Sequence, residues 1–161
     1  MMNKEEKYQL LQQQIAALIE GETDAVAIMA NTAAAIHEAM GFWWTGFYLE
    51  KNGVLVLGPF QGPVACYRIP HGKGVCGTAY ERRKTIVVPD VEHFPGHIAC
   101  SSESRSEIVV PIFSPAPAQL APTAPSILGV LDIDSRQLAT FDDTDRRYLE
   151  AIVALLAPHL L

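Results

Sequence analysis

The residues of this chain whose type is best suited to chemistry are its three cysteines, Cys66, Cys76 and Cys100. Cys66 and Cys76 lie in a glycine-rich stretch, and Cys100 lies in a polar one. None of them falls within an apolar periodic segment, where a cysteine that only packs would be expected. A thiol reacts as its thiolate, so a reactive cysteine needs partial exposure and nearby donors, which all three positions offer. The pattern predicts a thiol enzyme.

Composition limits the class of protein and of partner. Residues 1–161 are 49% hydrophobic and 19% charged, which is typical of one domain that buries a core without disulfide or metal cross-links. The formal net charge of -6 argues against nucleic acid as a partner, because affinity for phosphate backbones rests on clustered Lys and Arg.

The sequence also predicts a cytoplasmic location without a membrane partner. No signal peptide is evident, since the first residues are charged and no apolar segment follows them. The apolar run 151–156 is too short to span a bilayer and is followed by Pro158. In the cytosol, an odd number of cysteines indicates catalysis, redox sensing or metal binding more often than structural disulfides.

Hydrophobic periodicity and turn residues predict an α+β domain. Helices are expected at 4–20, 24–40 and 75–82 and from 141 onward. Strands are expected at 43–49, 54–60, 85–88, 107–113 and 127–134, with Asn52-Gly53 as a tight hairpin turn. This order indicates an antiparallel sheet with the terminal helices on one face.

Two stretches between these elements are irregular. Residues 91–106 lack periodicity and surround Cys100, and long ordered loops of this kind are often functional. Residues 114–126 are rich in Pro and Ala, which predicts an extended, mobile hairpin tip between the two late strands.

The two late strands bring three carboxylates together. If they pair about the middle of the insert, Glu107 lies opposite Asp132, and side-chain alternation puts Asp134 on the same face. Three neighbouring carboxylates repel one another unless a cation or a proton lies between them. The alternatives are a solvated acidic face, or a pocket for an ammonium group in which one carboxyl keeps its proton as an acid.

The local context of the cysteines leaves two further interpretations. The Gly72-Lys73-Gly74 start of the third helix puts Cys76 near a helix N-terminus, where the dipole favours a thiolate. Three cysteines and a histidine such as His71 or His97 could instead bind a metal, but the spacing contains no CxxC pair.

The chain closely resembles a known family, the free methionine-(R)-sulfoxide reductases, which are single GAF-domain enzymes. The resemblance runs from about residue 8 to 157, and cysteine spacings of ten and twenty-four residues make it specific. The insert at 114–126 departs from the family, which usually has a short turn there. The segments that carry the resemblance are 43–48, 58–66, 72–77, 97–100 and 129–135.

The resemblance implies a role for each cysteine. Cys100 matches the nucleophile, Cys66 the principal resolving thiol, and Cys76 a third cysteine that forms an alternative or auxiliary disulfide. Attack on the sulfoxide sulfur leaves a sulfenic acid on Cys100, which condenses with a second thiol. A thioredoxin-type dithiol then reduces the disulfide by exchange, and no metal or organic cofactor is needed.

The resemblance also implies the substrate-binding residues. Trp44, Glu107, Asp132 and Asp134 match the positions that hold free methionine-(R)-sulfoxide. The leaving oxygen must be protonated, and Glu107 or one of the two aspartates could act as the acid. The remaining carboxylates would bind the free amino group, and Trp44 would pack on the methyl group.

Two expectations remain open. GAF domains are mostly sensory modules, so a module that binds a small molecule or senses redox state without turnover is the alternative function. The first helix carries the apolar stripe Leu10, Leu11, Ile15, Leu18 and Ile19, which could support a homodimer.

Overall fold

The computed structural model describes residues 1–115 and 125–160 and shows a curled, six-stranded antiparallel sheet with helices on both faces. The helices are α1 (Lys4–Ile19), α2 (Ala25–Met40), α3 (Gly74–Arg82) and α4 (Asp143–Leu156). The strands are β1 (Trp44–Lys51), β2 (Val54–Gln61), β3 (Arg68–Pro70), β4 (Ile86–Val88), β5 (Ser106–Phe113) and β6 (Ile127–Ser135). Their order across the sheet is β3-β2-β1-β6-β5-β4, and the α+β prediction is confirmed.

The first two helices begin at side-chain caps. The Asn3 side chain accepts a hydrogen bond from the backbone N–H of Glu6, and Asp24 caps α2 in the same way. The buried face of α1 consists of Tyr8, Leu11, Ile15 and Ile19. Two residues of the predicted stripe, Leu10 and Leu18, are exposed instead, because they lie beside the buried face of the helix and not on it.

The predicted hairpin connects β1 and β2. Asn52 and Gly53 both have positive φ angles, 52° and 89°, which is the conformation that a two-residue turn between twisted strands requires. The short edge strand β3 pairs with β2 and was not predicted, because three residues that end in a proline carry no periodic signal.

The two faces of the sheet pack against different helices. Helices α1, α2 and α4 cover one face, where Ile108, Val110, Ile112, Leu131 and Ile133 belong to the larger core cluster. The terminal helices therefore gather on one face, as predicted. Helix α3 covers the opposite face, where Val109 and Val130 pack with Val75 and Ala79 in the smaller cluster.

The register of β5 and β6 differs from the prediction. Glu107 lies opposite Asp134, whereas Asp132 lies opposite Val109, so the predicted direct pair of Glu107 and Asp132 is wrong by two residues. One residue of this difference is already present where Phe113 lies opposite Ile127, and a shift of the pairing by one residue between Ile112 and Phe113 adds the other. A shift of two residues keeps every side chain on its predicted face, so the three carboxyl groups still lie together.

The strand pair is closed by a hydrogen bond of 2.7 Å from the N–H of Ser114 to the carbonyl of Ser126. The predicted hairpin tip falls largely at 116–124, outside the described residues. Over the part of the chain that is described, no helix combines the length and the hydrophobicity that crossing a bilayer requires.

Candidate active site

A small cavity of about 50 Å³ opens on the face of the sheet that α3 covers. Its walls come from β1, β5 and β6, from the start of α3, and from the loops around residues 64–65 and 97–104. Six of the seven predicted site residues line it: Trp44, Cys76, Cys100, Glu107, Asp132 and Asp134. The seventh, Cys66, is bonded to Cys100.

Cys66 and Cys100 form a disulfide whose Cα atoms lie 5.5 Å apart. Both residues are partly exposed and lie in loops, and they are 34 positions apart in the sequence. The hydroxyl of Tyr48 donates a hydrogen bond of 2.8 Å to the carbonyl of Cys66, which ties this loop to β1. The disulfide therefore connects two segments that reach the cavity from different sides.

The prediction that Cys76 is exposed and favours a thiolate is wrong. It is the third residue of α3, close to the helix N-terminus, but it is only 3% exposed. Burial, followed by the charges of Asp132, Glu107 and Asp134, raises the pKa of its thiol well above the usual value. These effects outweigh the dipole of a nine-residue helix, whose influence on a charge is modest.

The three carboxyl groups form a buried cluster. Glu107 and Asp132 are each 6% exposed, so a solvated acidic face is the wrong interpretation for both. Burial, and then repulsion from Asp132 and Asp134, raises the pKa of Glu107 well above its usual value. Burial also raises the pKa of Asp132, but hydrogen bonds with Glu107 and Cys76 oppose this rise.

Asp134 completes the cluster. Burial and the charge of Asp132 raise its pKa, while a hydrogen bond of 2.8 Å from the hydroxyl of Ser104 opposes the rise. Oδ1 of Asp132 is buried and has no hydrogen-bond partner among the described residues, unless it shares a proton with a neighbouring carboxyl group. Burial thus raises the pKa of all three carboxyl groups, and hydrogen bonds oppose this rise most at Asp132.

Trp44 forms the apolar wall of the cavity. Its ring stacks on Phe60 at 5.2 Å and lies 6.1 Å from the ring of Tyr48, and its Nε1–H donates to the carbonyl of Pro63 at 2.9 Å. Gly46 leaves room for this ring, because a Cβ at that position would lie 2.6 Å from the indole. The ring contacts and the hydrogen bond therefore fix the position of the Trp44 indole.

Sequence reasoning did not assign His97 or Ser104 to the acidic cluster. The Nε2 atom of His97 lies 4.0 Å from Oε1 of Glu107, and burial lowers the pKa of this imidazole while Asp132 opposes the decrease. The signal in the sequence that could have identified His97 is its position three residues before Cys100. No periodic pattern marks Ser104.

The alternative interpretation of three cysteines and a histidine as a metal site does not fit this structure, because the sulfurs of Cys66 and Cys100 are bonded to each other. Within the described ranges, the group that could hold a metal ion is Cys76, Glu107 and Asp132, whose ligand atoms all lie within 4.8 Å of one another. A thiolate and two carboxylates are suitable zinc ligands, but Cys76 and Glu107, whose pKa values are raised, would first have to lose their protons.

Comparison with known proteins gives consistent matches along the chain. The family model of the GAF domain matches residues 24–160. GAF domain-containing protein A of Dictyostelium discoideum is 51% identical over 155 residues, which cover 96% of this chain and 92% of that protein. The free methionine-R-sulfoxide reductase of Escherichia coli is 46% identical over 156 residues, covering 96% of this chain and 89% of that enzyme.

A solved structure extends the similarity to three dimensions. The free methionine-R-sulfoxide reductase of Neisseria meningitidis in complex with its substrate superimposes with a TM-score of 0.92 at 48% sequence identity. The match covers 99% of this chain and 92% of that one.

Proposed function

This chain belongs to the GAF-domain family of free methionine-R-sulfoxide reductases, and we propose that Cys100, Cys66 and Glu107 carry out its reaction in the cavity described above. The protein is an oxidoreductase that converts free methionine-(R)-sulfoxide to methionine. The observation that carries the assignment of residues is the disulfide between Cys66 and Cys100 beside a buried cluster of carboxyl groups.

The first step joins Cys100 to the substrate. In the reduced protein, the thiolate of Cys100 attacks the sulfoxide sulfur, and Glu107 gives its proton to the oxygen. Oxygen transfer to the cysteine sulfur then leaves methionine, the sulfenic acid of Cys100 and the carboxylate of Glu107. Glu107 suits the role of the acid, because burial raises its pKa and so favours the protonated carboxyl.

The second step restores the cysteines. The thiol of Cys66 condenses with the sulfenic acid, which releases water and forms the disulfide. A dithiol reductant of the thioredoxin type then exchanges with this bond, and partial exposure of both cysteines gives it access. Such a cycle requires a reducing compartment, so the proposal includes a cytoplasmic location. Cys76 is assigned as an auxiliary thiol. Because it is buried and its thiol holds its proton, it can react only after the surrounding loops move.

Substrate selection is assigned to the other side chains of the cavity. Asp132, whose Oδ1 has no hydrogen-bond partner in the described part of the chain, binds the ammonium group of the free amino acid together with Asp134. A peptide-bound residue lacks that ammonium group and would leave Asp132 buried without a partner. Trp44 packs on the methyl group.

The direct test is methionine release from the two isomers of free methionine sulfoxide, with dithiothreitol or thioredoxin as reductant. The wild type and Ser102→Ala, an exposed change in the same loop, should turn over the (R) isomer, and Cys100→Ser should not. The (S) isomer and peptide-bound sulfoxide should be inert. A folded, reduced wild type without turnover that still binds a small ligand would favour the sensory module.

We further propose that residues 1–161 act as a single domain and pair as a homodimer. Tyr8, Leu11 and Ile15 of α1 share a core cluster with α4, although α1 precedes the matched range. The exposed Leu10 and Leu18 offer an apolar surface for a second copy. Light scattering of wild type and of Leu10→Lys/Leu18→Lys tests the dimer, which the double variant should dissociate.

A further inference from the structure

The proposed cycle leaves Glu107 without a proton after every turnover. The acid gives up its proton in the first step, and the later release of water uses the proton of the Cys66 thiol. Glu107 is only 6% exposed, and substrate or product fills the cavity through which solvent could reach it. A buried acid of this kind needs a group that connects it to solvent.

His97 is the side chain placed to make that connection. Its Nε2 atom lies 4.0 Å from Oε1 of Glu107, a gap that a small rotation of the imidazole or one bridging water closes. The side chain of His97 is 17% exposed, whereas that of Glu107 is 7% exposed. Among the described residues that line the cavity, no Lys or Arg and no second histidine is present.

The surroundings of His97 suit proton transfer in both directions. Burial lowers the pKa of the imidazole, so the neutral ring prevails near neutral pH, while the charge of Asp132 opposes that shift. The other titratable groups around the cavity are Glu107 on β5, Asp132 and Asp134 on β6, Cys76 on α3, Tyr48 on β1 and, in the reduced protein, Cys100. A neutral imidazole accepts a proton at one nitrogen while it donates from the other.

We propose that His97 returns a proton from solvent to Glu107 after each turnover. The inference rests on the proposed function and extends it, because His97 acts through Glu107 and does not touch the sulfoxide. Nδ1 takes a proton from water, Nε2 delivers one to the carboxylate of Glu107, and the ring regains its first tautomer by exchange with solvent. Overall, the Cys100 thiolate, the Cys66 thiol, the sulfoxide and one proton give the disulfide, methionine and water.

Proton uptake during a single turnover tests this relay. The reduced protein, freed of reductant, is mixed with substrate in weakly buffered, mildly alkaline solution containing a pH indicator, and methionine is measured in parallel. Wild type should take up one proton for each methionine at the rate at which methionine forms. His93→Gln is the matched control, because His93 lies in the same segment with its side chain 84% exposed and outside the cavity.

In His97→Gln, we expect methionine to form at a rate close to that of wild type in the first turnover, because Glu107 begins with its proton. Proton uptake should be roughly tenfold or more slower than methionine formation, as expected when a positioned proton-transfer group is lost. Added imidazole should restore the rate of proton uptake. Uptake that keeps pace with methionine formation in His97→Gln would overturn the relay. Absence of methionine in wild type would instead overturn the proposed function, and the relay with it.

Discussion

The hydroxyl of Ser104 donates a hydrogen bond of 2.8 Å to Oδ1 of Asp134, and this bond joins the acidic end of the sheet to the loop that carries Cys100. Ser104 comes four residues after the cysteine, whereas Asp134 lies near the end of β6. The loop is otherwise irregular, so this contact helps to fix the distance between the proposed nucleophile and the carboxyl groups.

Replacing Ser104 with alanine should therefore weaken substrate binding and slow the reaction. Loss of one hydrogen bond to a partly buried carboxyl costs about 1 kcal/mol, so kcat/KM should fall roughly fivefold. Steady-state kinetics with the free (R) sulfoxide measure the change, with Ser102→Ala as control because Ser102 is exposed in the same loop. Equal kinetics of the two variants would contradict a role for the bond.

Replacing Asp132 with asparagine should remove the preference for the free amino acid. A lost charge-assisted hydrogen bond of about 2 kcal/mol raises KM for free methionine-(R)-sulfoxide roughly thirtyfold. The N-acetylated sulfoxide has no ammonium group, so its turnover should not fall by that factor. Kinetics with both substrates test the assignment, and an equal loss for both would contradict ammonium binding by Asp132.

Burial of Glu107 should make the protein less stable as the pH rises. The folded state holds the proton of this carboxyl above its ordinary pKa of 4.5, whereas the unfolded state has lost it. The folded state therefore binds more protons, and the free energy of unfolding decreases as the pH rises from 4.5 toward the folded-state pKa. Glu107→Gln cannot ionise and should show a smaller decrease.

Urea unfolding of the disulfide form at several pH values measures this difference. Glu103→Gln is the control, because the side chain of Glu103 is 61% exposed and its charge stays in water. The difference in free energy of unfolding between Glu107→Gln and wild type should increase with pH. The corresponding difference for Glu103→Gln should not. A constant gap for Glu107→Gln would indicate that Glu107 is ionised in the folded protein.

Cys76 should be the least reactive thiol of the reduced protein. Its pKa is raised by burial and by three acidic neighbours, so both the thiolate fraction and the access of reagents are small. Limited alkylation with iodoacetamide, followed by peptide mass spectrometry, should label Cys66 and Cys100 well before Cys76. Labelling of Cys76 at the same rate in folded protein would show that α3 opens readily.

Tyr8 should stabilise the protein through a bond far from the cavity. Its hydroxyl donates at 2.6 Å to Oδ1 of the fully buried Asp145, which also contacts Nζ of Lys4 at 2.7 Å. Tyr8→Phe leaves part of a buried carboxylate without a partner, which costs about 1–3 kcal/mol of unfolding free energy.

The ring stacked on Tyr8 supplies the control for that measurement. Tyr148 lies 5.2 Å away in a parallel arrangement, and its hydroxyl bonds with exposed Glu5 and Gln9. Tyr148→Phe should cost less than about 0.5 kcal/mol, because water replaces those partners. Equal losses in the two variants would mean that the bond to Asp145 contributes little.

The sequence allowed the main elements of the fold to be predicted, because most of them have strong local signals. Asn52-Gly53 specifies its turn through positive φ angles, and the apolar residues of β5 and β6 alternate clearly enough to identify the core face. The register of Glu107 was wrong by two residues, because it depends on where the connection is centred and on a one-residue pairing shift near Phe113, and periodicity indicates neither.

The environment of each site residue was harder to predict than its presence in the site. Sequence position put Cys76 at a helix N-terminus, but only tertiary packing brings Asp132 and Glu107 beside it and raises its pKa. His97 and Ser104 reach the carboxyl groups from an irregular loop, where no periodic pattern predicts the direction of a side chain.

The hydrogen bond between Ser114 and Ser126 also bears on how the chain can change over evolution and in engineering. It closes β5 and β6 at the end remote from the cavity, since six residues of extended strand, about 20 Å, separate Glu107 from Phe113. Lengthening a closed connection costs little entropy. Residues 116–124 are thus a position where insertions can accumulate without altering the reaction, and where a reporter domain could be grafted into a working enzyme.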